Sequence, residues 1–261
     1  MTDAVRRHWP EYLMEAGGLG LFMISASGFA IFLFHPASPA VGLGPVLRRM
    51  LMGTAMGLTA IALIYSPWGK QSGAHFNPAV TLTFLRLGRV APWDAAFYVA
   101  AQFAGGVVGL ALTVAAAGSL VGAPSVNYVA TVPGPRGVSI AFVAELVIAF
   151  AMMTMVLVTT ARVPRLAPFT GLFAGALLAV YITLEAPLSG MSLNPARSFA
   201  SALLAQLWTG FWVYLSAPLL GMLLAAEVHQ RSSKAEVPCA KLHHANSRRC
   251  IFRCRYARSS S

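Results

Sequence analysis

The chain has 261 residues, 57% of them hydrophobic and only 10% charged, with a net charge of +11. A soluble domain carries about 25% charged residues, so this composition, with a mean hydropathy of +0.67, excludes an ordinary soluble protein. The positive charge makes no nucleic-acid-binding face, because eight of the 19 basic residues crowd into the segment from Arg231 onward, opposed there only by Glu236.

The polar start with Arg6 and Arg7 leads into a first apolar run at 12–34 and is not read as a cleavable signal. About 20 apolar residues cross a bilayer, and further segments qualify at 47–66, 92–117, 138–160, 167–186 and 209–229. Their many glycines are read as packing positions, since small residues let helix backbones approach closely in lipid. Two apolar runs are too short to span: Val80 to Leu87 and Ser198 to Leu207. Each follows the same tripeptide, Asn77-Pro78-Ala79 and Asn194-Pro195-Ala196, and each tripeptide follows a Ser-Gly pair, Ser72-Gly73 and Ser189-Gly190, at the same distance. Ala101-Gln102-Phe103-Ala104-Gly105 is echoed by Ala217-Pro218-Leu219-Leu220-Gly221 at nearly the same offset. These matches imply an internal duplication, with inverted repeats at about 11–117 and 138–229.

Proline suits the first helical turn, where its missing N–H is unpaired anyway, and Asn before it is a favoured N-cap. Each short run is therefore expected to be a half-helix starting at its tripeptide. Entering from opposite sides, the two meet at mid-membrane, where irregular backbone is tolerated only against a cavity or packed protein. The expected fold is an all-α membrane protein: six transmembrane helices plus two re-entrant half-helices in residues 1–230. A basic cytoplasmic tail, 231–261, is expected to be disordered.

Six spans put both termini on one side. Arg6, Arg7, Lys70, Arg86, Arg89, Arg162, Arg165 and the tail lie there, against Arg48, Arg49, Arg136 and Arg197 opposite. The positive-inside rule makes the first side cytoplasmic in a cell membrane. The only cysteines, Cys239, Cys250 and Cys254, fall in the tail beside His243 and His244. Their Cys-x3-Cys spacing lies outside the common structural zinc patterns, so free thiols are expected, with no metal and no cofactor.

The stretch Ser72-Gly73-Ala74-His75-Phe76-Asn77-Pro78-Ala79-Val80, with Asn194-Pro195-Ala196-Arg197-Ser198, resembles the major intrinsic protein family, the aquaporins and glycerol facilitators. The likeness covers roughly 11–229 and includes the span count, the Glu in spans one and four, and the Ala-Gln of span three. It implies an hourglass with one pore per subunit, usually four subunits together, passing water and small neutral solutes. Asn77 and Asn194 then offer amide N–H donors to the solute while their carbonyls cap the half-helices, whose positive ends oppose cations. Arg197 belongs to the narrowest constriction. Glu15 and Glu145 support the loops entering the half-helices, a proton relay being the alternative; Gln102 assists them or cross-links helices. His75 lines the cytoplasmic vestibule, unless it is simply packed. The remaining constriction positions are Met56 (or Gly57, by a different count), Ile182 and Met191, which match neither the water-channel set nor the glycerol set. Ser198, Ala202 and Phe211-Trp212 favour the water-channel branch.

The leading expectation is a passive water channel that excludes ions and protons. A facilitator for glycerol, hydrogen peroxide or ammonia is the alternative. A coupled transporter is opposed by finding only two clearly buried acids in the spans, and a junction or scaffold protein with a silent pore stands further off. No enzyme motif is present. Because the tail lies outside the resemblance, removing Lys234–Ser261 is expected to leave permeability intact.

Overall fold

A computed structural model describes residues 1–232, 236–245 and 247–256. It is all helical among them. Six helices are long and apolar enough to cross a membrane. They run Thr2–Phe34, Pro45–Tyr65, Pro92–Leu120, Val138–Arg162, Pro164–Leu184 and Phe211–Ser232, and their α-helical parts are α1 (Thr2–Phe34), α2 (Pro45–Tyr65), α5 (Pro92–Ala117), α6 (Val138–Leu157), α7 (Thr170–Leu184) and α10 (Phe211–Ser232). Between them sit two short helices, α3 (Pro67–Ser72) and α8 (Ala186–Ser189), and two half-helices, α4 (Pro78–Arg86) and α9 (Pro195–Ala205).

The sequence halves repeat in space. In each, a short helix ends on a left-handed glycine, Gly73 or Gly190, and an irregular stretch leads to a half-helix capped by the Asn of the tripeptide. α1 packs on α5 as α6 packs on α10, and α2 meets α7 between the halves. Glycine permits these approaches. A Cβ on Gly109 would lie 2.3 Å from the Gly20 carbonyl oxygen, and one on Gly57 2.5 Å from that of Gly175. Large apolar side chains such as Leu21, Ile24, Val108, Leu112, Val143 and Val147 face outward, as lipid-facing positions must.

Two expectations are corrected. The first helix begins at Thr2, ten residues before the apolar run, and its added turns are tied down: Tyr12 donates to Asp94 Oδ1 at 2.6 Å, and His8 Nδ1 lies 2.7 Å from the same oxygen. The buried acids are also more than two. Glu11, Asp94 and Glu185 are buried alongside Glu15 and Glu145; Asp94 Oδ1 is met by Tyr12 and His8, and Glu11 Oε1 accepts from Gln71 Nε2 at 2.9 Å.

The described part of the C-terminal segment, 236–245 and 247–256, carries buried residues. Val237, Cys239, Ala240, Lys241, Leu242 and Phe252 are all buried, packed on the face that holds the start of α1. Lys234 and Arg258, two of the tail's basic residues, lie outside the described residues.

Candidate functional site: the axial passage

Asn77 and Asn194 are extended N-caps, with φ of −157° and −142°. Asn77 Oδ1 accepts from Ala79 N at 2.9 Å; Asn194 Oδ1 accepts from Ala196 N at 3.1 Å and Arg197 N at 3.3 Å. Pro78 and Pro195 open the two helices, and Ala79 and Ala196 are wholly buried. The amide nitrogens cross between the halves. Asn77 Nδ2 donates to the Leu193 carbonyl at 2.7 Å, and Asn194 Nδ2 to the Phe76 carbonyl at 2.8 Å. A primary amide has two N–H donors, so each Asn keeps one beyond this reciprocal pair.

The loops before the caps are held in left-handed backbone at matched places: Ala74 and Phe76 in one, Met191 and Leu193 in the other. Non-glycine residues adopt positive φ only where surroundings over-determine it. Glu15 supplies that constraint in the first half, accepting from Ser72 Oγ (2.7 Å), His75 N (3.1 Å), Phe76 N (2.5 Å) and Gln102 Nε2 (2.8 Å). Glu145 supplies it in the second, accepting from Ser189 Oγ (2.6 Å), Ser192 N (2.6 Å) and Leu193 N (2.8 Å). Each carboxylate thus accepts from the loop that leads into its own half-helix. Gln102 also donates to Thr81 at 3.0 Å, joining α5 to α4.

Two cavities lie near the paired caps. One, of about 140 Å³, is lined by Asn77, Asn194, His75, Val80, Met153, Val156 and Leu178 among others, and Leu242 of the C-terminal segment stands in its wall. The other, of about 170 Å³, brings together Met56, Ile182, Met191 and Arg197. Phe22, Leu178 and Ser192 line both, so the two cavities adjoin. Gly57, the other counting choice beside Met56, turns instead into the backbone of α7. Arg197 Nη1 is buried without a protein partner, a donor available to whatever enters.

His75 lines the first cavity and is held at both ring nitrogens. Its Nε2 lies 2.7 Å from the Ala240 carbonyl oxygen and its Nδ1 3.0 Å from Thr81 Oγ1. A carbonyl only accepts, so the neutral ring carries its proton on Nε2. Phe22, which lines both cavities, carried no motif signal; only its place opposite the caps reveals it.

The sequence pattern described as Major intrinsic protein matches residues 5–229. The chain belongs to the major intrinsic protein family. Its members are passive membrane channels and not enzymes, and six apolar helices make this chain an integral membrane protein of that kind. It is 34% identical over 191 residues to a probable NIP-type aquaporin of Nicotiana alata, covering 71% of this chain and 67% of that one. It is 35% identical over 219 residues to the glycerol uptake facilitator protein-like 6 of Lactiplantibacillus plantarum, covering 83% and 94%. The structure of the aquaglyceroporin from Plasmodium falciparum superposes with a TM-score of 0.73 at 20% identity, over 86% of this chain and 96% of that one, a likeness of fold.

Proposed function

We propose that this channel conducts water along an axial path through the two cavities while refusing ions and protons. The observation that carries the reading is the reciprocal pair of caps. Asn77 and Asn194 each spend one N–H on the opposite loop and keep one for a solute in the first cavity, whose wall they form. The positive ends of α4 and α9 meet there, and that field disfavours cations. Arg197, with its free buried Nη1, adds a fixed charge in the second cavity. The apolar side chains of Met56, Ile182 and Met191 around Arg197 favour a second reading, a facilitator of small, less polar neutral solutes such as glycerol, hydrogen peroxide or ammonia. Similar identity to an aquaporin and to a glycerol facilitator keeps both in play.

The chain-end face, with Arg6, Arg7, Lys70, Arg86 and Arg89, is the cytoplasmic one by the positive-inside rule, and the outward apolar surface suits lipid and three further copies in a homotetramer. Arg197→Val tests the exclusion: it should raise proton or cation leak in liposomes, and an unchanged leak removes Arg197 from the filter.

A further inference from the structure

The described stretches 236–245 and 247–256 have almost no regular structure, yet they are docked. Leu242 N donates to the Gly73 carbonyl at 3.1 Å, Arg253 N to that of Arg89 at 3.0 Å, and Lys241 Nζ to those of Lys70 (2.9 Å) and Arg249 (2.7 Å). Phe252 stacks on His75, with ring centroids 5.4 Å apart and planes 11° apart. Gly73, at φ +97°, leaves room for that ring, for a Cβ there would lie 2.8 Å from it. The segment thus sits across the entrance of the 140 Å³ cavity. Ordering each residue costs about 1–2 kcal/mol, and short irregular segments offset such a cost with a cross-link or a metal.

The cross-linking groups are present. The ligand atoms of Cys239, His244, Cys250 and Cys254 all lie within 4.8 Å of one another. Cys239 Sγ is 3.5 Å from Cys250 Sγ, and His244 Nε2 is 3.2 Å from Cys254 Sγ. Zn–S bonds of about 2.3 Å and Zn–N bonds of about 2.0–2.1 Å in a tetrahedron space such atoms roughly 3.5–3.8 Å apart. A disulfide needs about 2.05 Å, and the thiols are free. The tail thiols are free, as expected, but they are gathered with His244 into one cluster. The Cys-x3-Cys pair is half of a set completed by two residues upstream.

We propose that Cys239, His244, Cys250 and Cys254 bind one soft divalent cation, Zn2+ foremost, and that the ion pins the segment over the pore entrance. Three thiolates and a neutral imidazole suit zinc and no hard cation. The basic side chains nearby, Lys241, Arg249 and Arg253, offset the excess negative charge of a tris-thiolate site. Removing the ion frees the segment and opens the path, the reverse of the expectation that the tail is irrelevant to permeability.

The consequence for flux rests on the channel reading; the ion count does not. The full chain, purified in detergent under reducing conditions, is loaded with Zn2+ or Co2+ and desalted. One ion per chain and the intense visible absorption of tetrahedral cobalt thiolate are expected, both lost in Cys250→Ser with Cys254→Ser and in His244→Ala. No retained ion, a weak six-coordinate cobalt spectrum, unaltered binding in the variants, or a Cys239–Cys250 disulfide formed in the presence of zinc overturns the site. In proteoliposomes, chelation should raise water flux several-fold in the wild type and leave the variants, already fast, unchanged. Equal flux with and without zinc overturns the lock. Shrinkage no faster than that of empty liposomes in every state refutes the channel reading instead, while the ion count still decides the site.

Discussion

His75 shows how one side chain reports the state of the entrance. Burial behind the C-terminal segment lowers its pKa from the usual 6.5 to about 4, against a smaller opposing effect of the Ala240 carbonyl. Thr81, Phe84, Tyr98 and Phe252 surround the ring, and the Glu15 carboxylate holds its backbone N–H. A depressed histidine favours the docked state above the pKa of the exposed ring, and that contribution is lost as pH falls from about 6.5 towards 4. Acidification across that window should therefore raise permeability, and raise it less in His75→Gln. An equal rise in both proteins assigns the effect to other groups. At the caps, Asn194→Asp replaces the Nδ2 donor, leaving the Phe76 carbonyl without its partner; slower water flux or poor folding is expected, and wild-type permeability would rule out the donor role. The Asn, Arg and Glu positions were legible in the sequence because each sits in or opposite a repeated motif. Glu11 and Asp94 were not, because the residues that meet them, Gln71 and Tyr12, lie far along the chain.

At the scale of elements, the two re-entrant loops depend on one carboxylate each. Glu145→Leu deprives Ser189, Ser192 and Leu193 of their acceptor, and each orphaned buried donor costs about 1–3 kcal/mol. A large fall in the detergent unfolding temperature is expected, with a smaller one for Glu145→Gln, which keeps an acceptor oxygen; equal falls count against the acceptor argument. Helix contacts make a parallel case: Gly109→Leu drives a side chain into the Gly20 backbone and should separate α1 from α5, seen as lost thermal stability. Half-helix starts, caps and span positions could be read from Pro, Asn and hydropathy, since these are local. The early start of α1 and the docking of the C-terminal segment could not. Both rest on long-range contacts of polar residues, such as Arg249 Nε with Glu11 Oε1 at 3.5 Å, that no periodicity announces.

For the whole molecule, duplication explains the architecture: two inverted halves, one irregular loop and half-helix from each, and a path where their caps exchange hydrogen bonds. Composition and the doubled tripeptide already contained this plan. Selectivity did not follow so directly, because Met56, Ile182, Met191 and Arg197 come from three helices and a loop and meet only in the folded chain. The central claim is that the axial path is a passive water pore. Stopped-flow shrinkage of proteoliposomes holding chelator-treated protein, followed over a range of temperatures, tests it most directly. The account predicts water flux well above that of empty liposomes, with a low activation energy and no dependence on an ion gradient. Flux equal to empty liposomes, or flux that saturates and follows an imposed gradient of protons or sodium, would contradict it.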